Sequence, residues 1–261
     1  MRGMTAVEVH HEVVGAADAP VVVLCSSLGA SLEMWDPQLS ALTERFRVVR
    51  FDARGHGRSP VPPGPYSLDD LADDVIGLLD RLEVLRAHVV GLSLGGMTAM
   101  RVAIRDPARV DRLVLLSTAA RLGPPQTWAE RAALVRAEGM APVAAVVVTR
   151  WLTQEHRNSD PACAARLVAM VEANPVEGYA SSCAAVEHMD LRAELPAITA
   201  PTLAIAGAED PVTPPALLEE IVTRIVGSRL AVVERAAHLA NLDQPEQVNQ
   251  LLVTHLTAAS D

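Results

Sequence analysis

Short, unbroken apolar runs separated by longer stretches of helical periodicity restrict most sharply what this chain can fold into. VVVLC at 21–25 and AHVVGL at 87–92 are examples. A strand that is apolar on both faces must be covered on both faces, which is the situation inside a parallel sheet. Strand patterns fall at 7–14, 20–25, 46–52, 87–93, 110–118, 200–207 and 228–234, the first alternating as an edge strand does. Helical patterns fall between them, at 32–45, 67–82, 94–106, 214–226 and about 244–257. This order predicts an α/β protein with a mostly parallel central sheet flanked by helices. Ser67, with Asp70 three residues on, marks the start of the 67–82 helix by a capping box. From 121 to 192 the rhythm breaks into mostly helical sequence punctuated by Pro124, Pro125, Pro142, Pro161 and Pro175. That stretch predicts a helical cap insertion (121–192) over one end of a core made of 1–120 and 193–261.

Charge and cysteine usage exclude several roles. The 261 residues carry 22 Lys and Arg against 32 Asp and Glu, a formal charge of −10. An acidic surface is a poor match for nucleic acid, whose phosphates supply most of the affinity, or for anionic lipid. Cys25, Cys163 and Cys183 form no CxxC pair, which argues against a disulfide framework and a structural metal site. The N-terminal sequence has no apolar signal core, and no run approaches the roughly 20 apolar residues of a membrane span. A cytoplasmic setting is expected, with no nucleic acid, no membrane and no metal.

The chemistry centres on Gly91-Leu92-Ser93-Leu94-Gly95. This G-x-S-x-G follows an apolar strand and opens a helix, the setting in which a serine is presented on a sharp, glycine-flanked turn. A serine hydroxyl needs a base, and the base an orienting acid. In the chain order Ser, acid, His, the strand in LAIAGAEDPVTP (203–214) ends before Glu209 and Asp210, and the strand in LAVVERAAHL (230–239) ends before His238. All three candidates, Ser93, Asp210 and His238, lie beyond strand C-termini, where open α/β sheets bind ligands. Asp210 is preferred to Glu209 because Pro211 keeps it out of a helix. Among the other histidines, His56 in RGHG is read as shaping its own turn, with Arg54 bracing the same loop. An acyl-transfer oxyanion also needs two N–H donors. Leu94 supplies one, and Leu28, in the Ser26-Ser27-Leu28-Gly29 turn, is placed to supply the other. Ser26 and Ser27 lack the glycine-flanked turn of a nucleophile.

Taken together, FDARGHGRS, GLSLGGMTA, GAEDPVTP and the His238 loop resemble the α/β-hydrolase family over nearly the whole chain. Many members have His-Gly where this chain has Ser26-Ser27. That departure, with CSSLGASLEMWDPQ (25–38), TRWLT (149–153) and ANPVEGYASSCAAVEHMDLR (173–192), resembles the 3-oxoadipate enol-lactonases. The resemblance implies hydrolysis of a small anionic lactone in aromatic-compound breakdown, by a Ser-His-Asp acyl-enzyme route without cofactor. It also implies a cation for the substrate carboxylate. Arg150 is the candidate, with Trp151 and Trp128 as pocket walls. Some relatives carry a decarboxylase domain after the lactonase, so this chain is expected to hold at most the hydrolase half of such a fusion; the oligomeric state stays open. Other readings within the fold are another small ester or lactone hydrolase, a C–C hydrolase and a cofactor-free perhydrolase. A binding module without catalysis is the reading outside it.

Overall fold

A computed structural model describes residues 6–258. Seven strands form one sheet: β1 (His11–Val14), β2 (Val21–Cys25), β3 (Arg47–Phe51), β4 (Ala87–Leu92), β5 (Val110–Leu116), β6 (Thr202–Gly207) and β7 (Arg229–Val233). Their spatial order is β1-β3-β2-β4-β5-β6-β7. Only the β1–β3 pair is antiparallel. The interior strands are the continuous apolar runs, and every residue of β4 and of β6 is buried. The expected edge strand over 7–14 forms only at 11–14. The residues before it bond elsewhere: Val7 N–H donates to Asp74 Oδ1 at 2.7 Å and His10 N–H to Ser59 Oγ at 2.8 Å. Side chains have taken the donors that a ladder would use.

Helices α1 (Asp36–Thr43), α2 (Leu68–Arg81) and α3 (Leu94–Arg105) join the first strands. A 3₁₀ turn at Leu32–Trp35 takes the start of the expected 32–45 helix. At α2 the capping box is present: Ser67 Oγ accepts from Asp70 N–H at 3.2 Å and Asp70 Oδ2 from Ser67 N–H at 2.9 Å. Between β5 and β6 run five helices: α4 (Pro125–Glu138), α5 (Ala141–Trp151), α6 (Gln154–Ser159), α7 (Pro161–Glu172) and α8 (Val176–Glu187). This insertion packs on the loops that leave the C-terminal ends of the strands. Asn174 Nδ2 donates to Gly29 O at 2.8 Å, and Leu239 N–H to Trp151 O at 2.7 Å. The insertion leaves and rejoins the core at a single point, where Leu191 N–H donates to Ala120 O at 2.8 Å. Helices α9 (Pro215–Val222), α10 (Ala240–Asp243) and α11 (Pro245–Leu256) complete the chain.

Three buried histidines give the fold a pH dependence. Burial holds His56, His88 and His255 below the ordinary 6.5, His255 at about 4. His88 packs edge-on against Phe46, and the His255 ring bonds Pro201 O at 3.2 Å. Each stays neutral in the fold while its unfolded counterpart begins to protonate near 6.5. The unfolded state therefore binds more protons below that point, and stability falls with pH. Urea midpoints are expected to hold well above pH 6.5 and to decline as pH falls through it towards about 4, where folded His255 takes up its proton. His255→Leu should flatten the decline. A midpoint unchanged over that range in the parent protein would rule out buried neutral histidines as a stability term.

Candidate active site

The chain turns through Ser93 in a conformation that serine rarely adopts, φ 58° and ψ −117°. Such a residue costs about 1–3 kcal/mol and persists only where its surroundings over-determine it. Here they do. Ser93 N–H donates to Leu116 O at 3.0 Å, and Thr118 Oγ1 donates to Ser93 O at 2.7 Å. The flanking glycines are required by space. A Cβ on Gly91 would lie 2.2 Å from Gly95 O, and one on Gly95 would lie 2.1 Å from Cys25 O. The second contact places the end of β2 directly against the turn.

On the loops that follow β6 and β7, Asp210 and His238 form a buried pair. His238 Nδ1 lies 2.8 Å from Asp210 Oδ2, and both side chains are almost fully enclosed. The carboxylate has no idle acceptor. Val212 N–H (2.8 Å) and Thr213 N–H (3.0 Å) donate to Oδ1, while the Thr213 hydroxyl donates to Oδ2 at 2.6 Å. Burial pushes the Asp210 carboxyl up, but His238 and the Thr213 donors outweigh it and hold the group below the usual carboxylate range. An ionised Asp210 can only accept, so the bond puts a proton on Nδ1 and leaves Nε2 as the nitrogen available to act as base. Glu209, one residue earlier, is exposed.

The loop after β2 is held from three sides around Leu28. Ser27 N–H points at Met34 Sδ (3.3 Å), Gly29 N–H donates to His56 Nε2 (3.0 Å), and Ala30 N–H donates to Ser27 O (3.1 Å). Among the described residues, Leu28 N–H and Leu94 N–H have no protein acceptor. His56 thus shapes more than its own turn. Its Nδ1 bonds Arg54 O at 3.2 Å, which fixes the tautomer that lets Nε2 receive Gly29. Arg54 is the brace the sequence suggested. It is wholly buried and grips Asp74 with two bonds of 2.6 Å. Ser26 Oγ is buried with no hydrogen-bond partner among the described residues, so no base faces it.

The insertion places its candidates differently. Trp151 is buried at the end of α5, its carbonyl on the His238 loop. Trp128 is buried in α4, with Nε1–H donating to Leu122 O at 3.1 Å. Arg150 is exposed on the last turn of α5. Arg131, one turn beyond Trp128, carries no signal in the sequence that sets it apart from other insertion arginines. Its guanidinium carbon sits 4.7 Å from the centre of the Trp128 ring, and among the described residues it has no acidic partner. Burial pushes the Tyr179 hydroxyl up to about 12, and nearby Arg131 works against that rise. The other side of the Tyr179 ring is against the loop after β2, with Cε2 3.1 Å from where a Cβ on Gly29 would be. Thr213 was also missed, although a threonine three residues after an aspartate is itself a turn signal.

One cluster elsewhere has metal-ligand chemistry: donor atoms of His156, Asp160 and Cys163 lie within 4.8 Å of one another. Asp160 is occupied in capping α7, accepting from Cys163 N–H at 2.8 Å. Burial raises the Cys163 thiol, and the neighbouring Arg166 cation opposes a second positive charge. The cluster reads as a helix cap. Among the described residues, no helix is long and apolar enough to cross a membrane.

A strained serine between strand and helix, with an Asp–His pair on later loops of the same sheet edge, defines a class, and comparison with known proteins agrees. Residues 20–245 match the family described as alpha/beta hydrolase fold, and the chain belongs to it. It is 40% identical to 3-oxoadipate enol-lactonase 2 of Acinetobacter baylyi, over 93% of this chain and 91% of that protein. The crystal structure of the enol-lactonase from Burkholderia xenovorans LB400 superposes with a TM-score of 0.95 at 40% identity, covering 97% of each chain. A Caulobacter segnis protein, provisionally named carbamate hydrolase RutD, is 32% identical over 93% of each chain. The protein is a hydrolase of this fold.

Proposed function

We propose that the chain opens the ring of 3-oxoadipate enol-lactone, with Ser93 as nucleophile, His238 as base and Asp210 orienting it. The observation that carries the chemistry is the buried 2.8 Å His238–Asp210 bond on the same sheet edge as the strained Ser93. Likeness to enol-lactonases over nearly the full length supports the substrate. In this reading His238 Nε2 takes the Ser93 proton as Oγ adds to the lactone carbonyl. Leu28 N–H and Leu94 N–H receive the oxyanion; losing one such donor costs about 3–4 kcal/mol of transition-state stabilisation. As the acyl C–O bond breaks, the ring oxygen leaves as an enol, protonated by His238, and tautomerises to the ketone. Water, deprotonated by His238, then cleaves the acyl-enzyme to 3-oxoadipate. Protein groups and water suffice for every step.

The substrate carries a free carboxylate. Arg150, the sequence candidate, faces solvent, where a lone ion pair is worth little. Arg131 is the better anchor: it is partly shielded, spread on the Trp128 ring and beside Tyr179, whose ring lies against the loop that carries Leu28. A guanidinium can bind a carboxylate through two parallel bonds. The test is ultraviolet assay of enol-lactone loss, beside a neutral aryl acetate and a simple carbamate. The lactone is expected to be the best of the three. Arg131→Ala should raise KM for the lactone at least tenfold and leave the neutral ester nearly unchanged, with Arg150→Ala close to the parent. A loss confined to Arg150→Ala would return the anchor to α5. Faster turnover of the carbamate would overturn the substrate assignment.

A further inference from the structure

We propose that Asp243 is a positioning residue, whose buried carboxylate ties the loop carrying His238 to the α5–α6 connection, so that the seating of the insertion sets where the imidazole lies. The inference rests on the reading of His238 as the base. Asp243 ends α10, five residues after His238, and its side chain is 1% exposed. Its Oδ2 accepts Ala237 N–H at 2.7 Å, immediately before His238. The same carboxylate accepts Thr153 N–H at 3.2 Å, the Thr153 hydroxyl at 3.3 Å and His156 Nδ1 at 2.9 Å. On the other side of His238, Leu239 N–H donates to Trp151 O at 2.7 Å. The amides on both flanks of the imidazole are therefore held by residues 151–156, one directly and one through Asp243.

A base displaced by about 1 Å can lose roughly a hundredfold in rate, so a bond that fixes its loop is a bond that acts on catalysis. Three donors converge on Asp243 from the insertion side and one from the His238 loop. An amide in its place must turn its own N–H toward one of them. Burial pushes the Asp243 carboxyl up, and the Ala237 and Thr153 amides and His156 oppose that.

The test is the rate at which an aryl phosphonate labels Ser93 in folded protein, which needs no knowledge of the natural substrate. Asp243→Asn is expected to slow labelling about 10–100-fold, the upper end being what a misplacement of about 1 Å can cost. Its kcat should fall by the same factor with KM within twofold, and amide exchange should quicken across 236–240. Gln244→Ala removes a neighbouring bond to Arg235 O that does not reach His238; it should lower Tm and leave the labelling rate alone. Should Asp243→Asn fail to fold, Thr153→Val and His156→Leu each remove a side-chain donor and keep the carboxylate; parental labelling rates in both would overturn the proposal. A labelled parent with equally fast Asp243→Asn protein overturns it alone. A parent that is never labelled overturns the hydrolytic reading and this inference with it.

Discussion

Ser93→Ala is expected to lower lactone hydrolysis by about 10⁶, the scale seen when a triad nucleophile is removed. The protein should stay folded, because what pins this residue is backbone: Ser93 N–H on Leu116 O, and Thr118 Oγ1 on Ser93 O. Alanine meets the same positive φ at similar cost, so the melting temperature should barely move. The Asp210–His238 pair and the two free N–H groups remain, and they support a residual rate of roughly 10³–10⁴ over water. A continuous assay of lactone loss with purified variant measures this directly. A variant retaining more than about a tenth of parental activity would remove Ser93 from the reaction. It would leave the fold and family standing.

Asp210→Asn is expected to cost about 10⁴ in kcat, for a different reason. Every acceptor position on the carboxylate is in use: two amides, one hydroxyl and one imidazole N–H. An asparagine of the same shape has one oxygen. If that oxygen keeps the Val212 and Thr213 amides, the NH₂ faces His238 and can only donate to Nδ1. The ring then carries its proton on Nε2 and has no lone pair for Ser93. KM should change little, since neither Asp210 nor the proton it orients holds the substrate. Stability should fall as well, because the Thr213 hydroxyl loses an anionic acceptor in a buried site. Comparing kcat and KM with the Ser93→Ala baseline separates the two effects. Wild-type kcat in folded Asp210→Asn would exclude Asp210 as the orienting acid.

Much of this was legible in the sequence because local chemistry and global fold agree. The strands of the parallel sheet are short apolar runs, and the helices between them carry their own signals, such as the Ser67–Asp70 box. The placement of Ser93, Asp210 and His238 at one sheet edge was legible for the same reason: each sits on the loop that leaves a strand, within five residues of its end. Leu28 needed no side-chain signal, only its position after β2. What escaped was set by contacts between distant segments. The edge strand shortened because Asp74 and Ser59, far along the chain, take the amides of residues 7 and 10. Arg150 and Arg131 both lie in helical insertion sequence. Which of them is sheltered depends on how α4 packs on α8, and one sequence has no period or motif for that. The partners of Asp243 in the insertion, Thr153 and His156, lie 90 and 87 residues away along the chain.

The hydrogen bond between Ala120 and Leu191 has a bearing on how proteins of this shape diversify. The chain enters and leaves the stretch from 121 to 190 at one neck, while β5 and β6 on either side pair with each other without it. The closure entropy of such a loop grows only with the logarithm of its length. Helices in this stretch can thus be lengthened, shortened or exchanged at little expense to the sheet that carries Ser93, Asp210 and His238. What such an exchange must keep is limited: the pair of anchor residues at the neck, the Asn174 bond to Gly29 O and a segment able to hold the amides beside His238. In the proposed reading the sheet edge carries the bond-breaking groups and the insertion carries the substrate anchor, so the anchor can be varied while the neck and the ties to the His238 loop are kept.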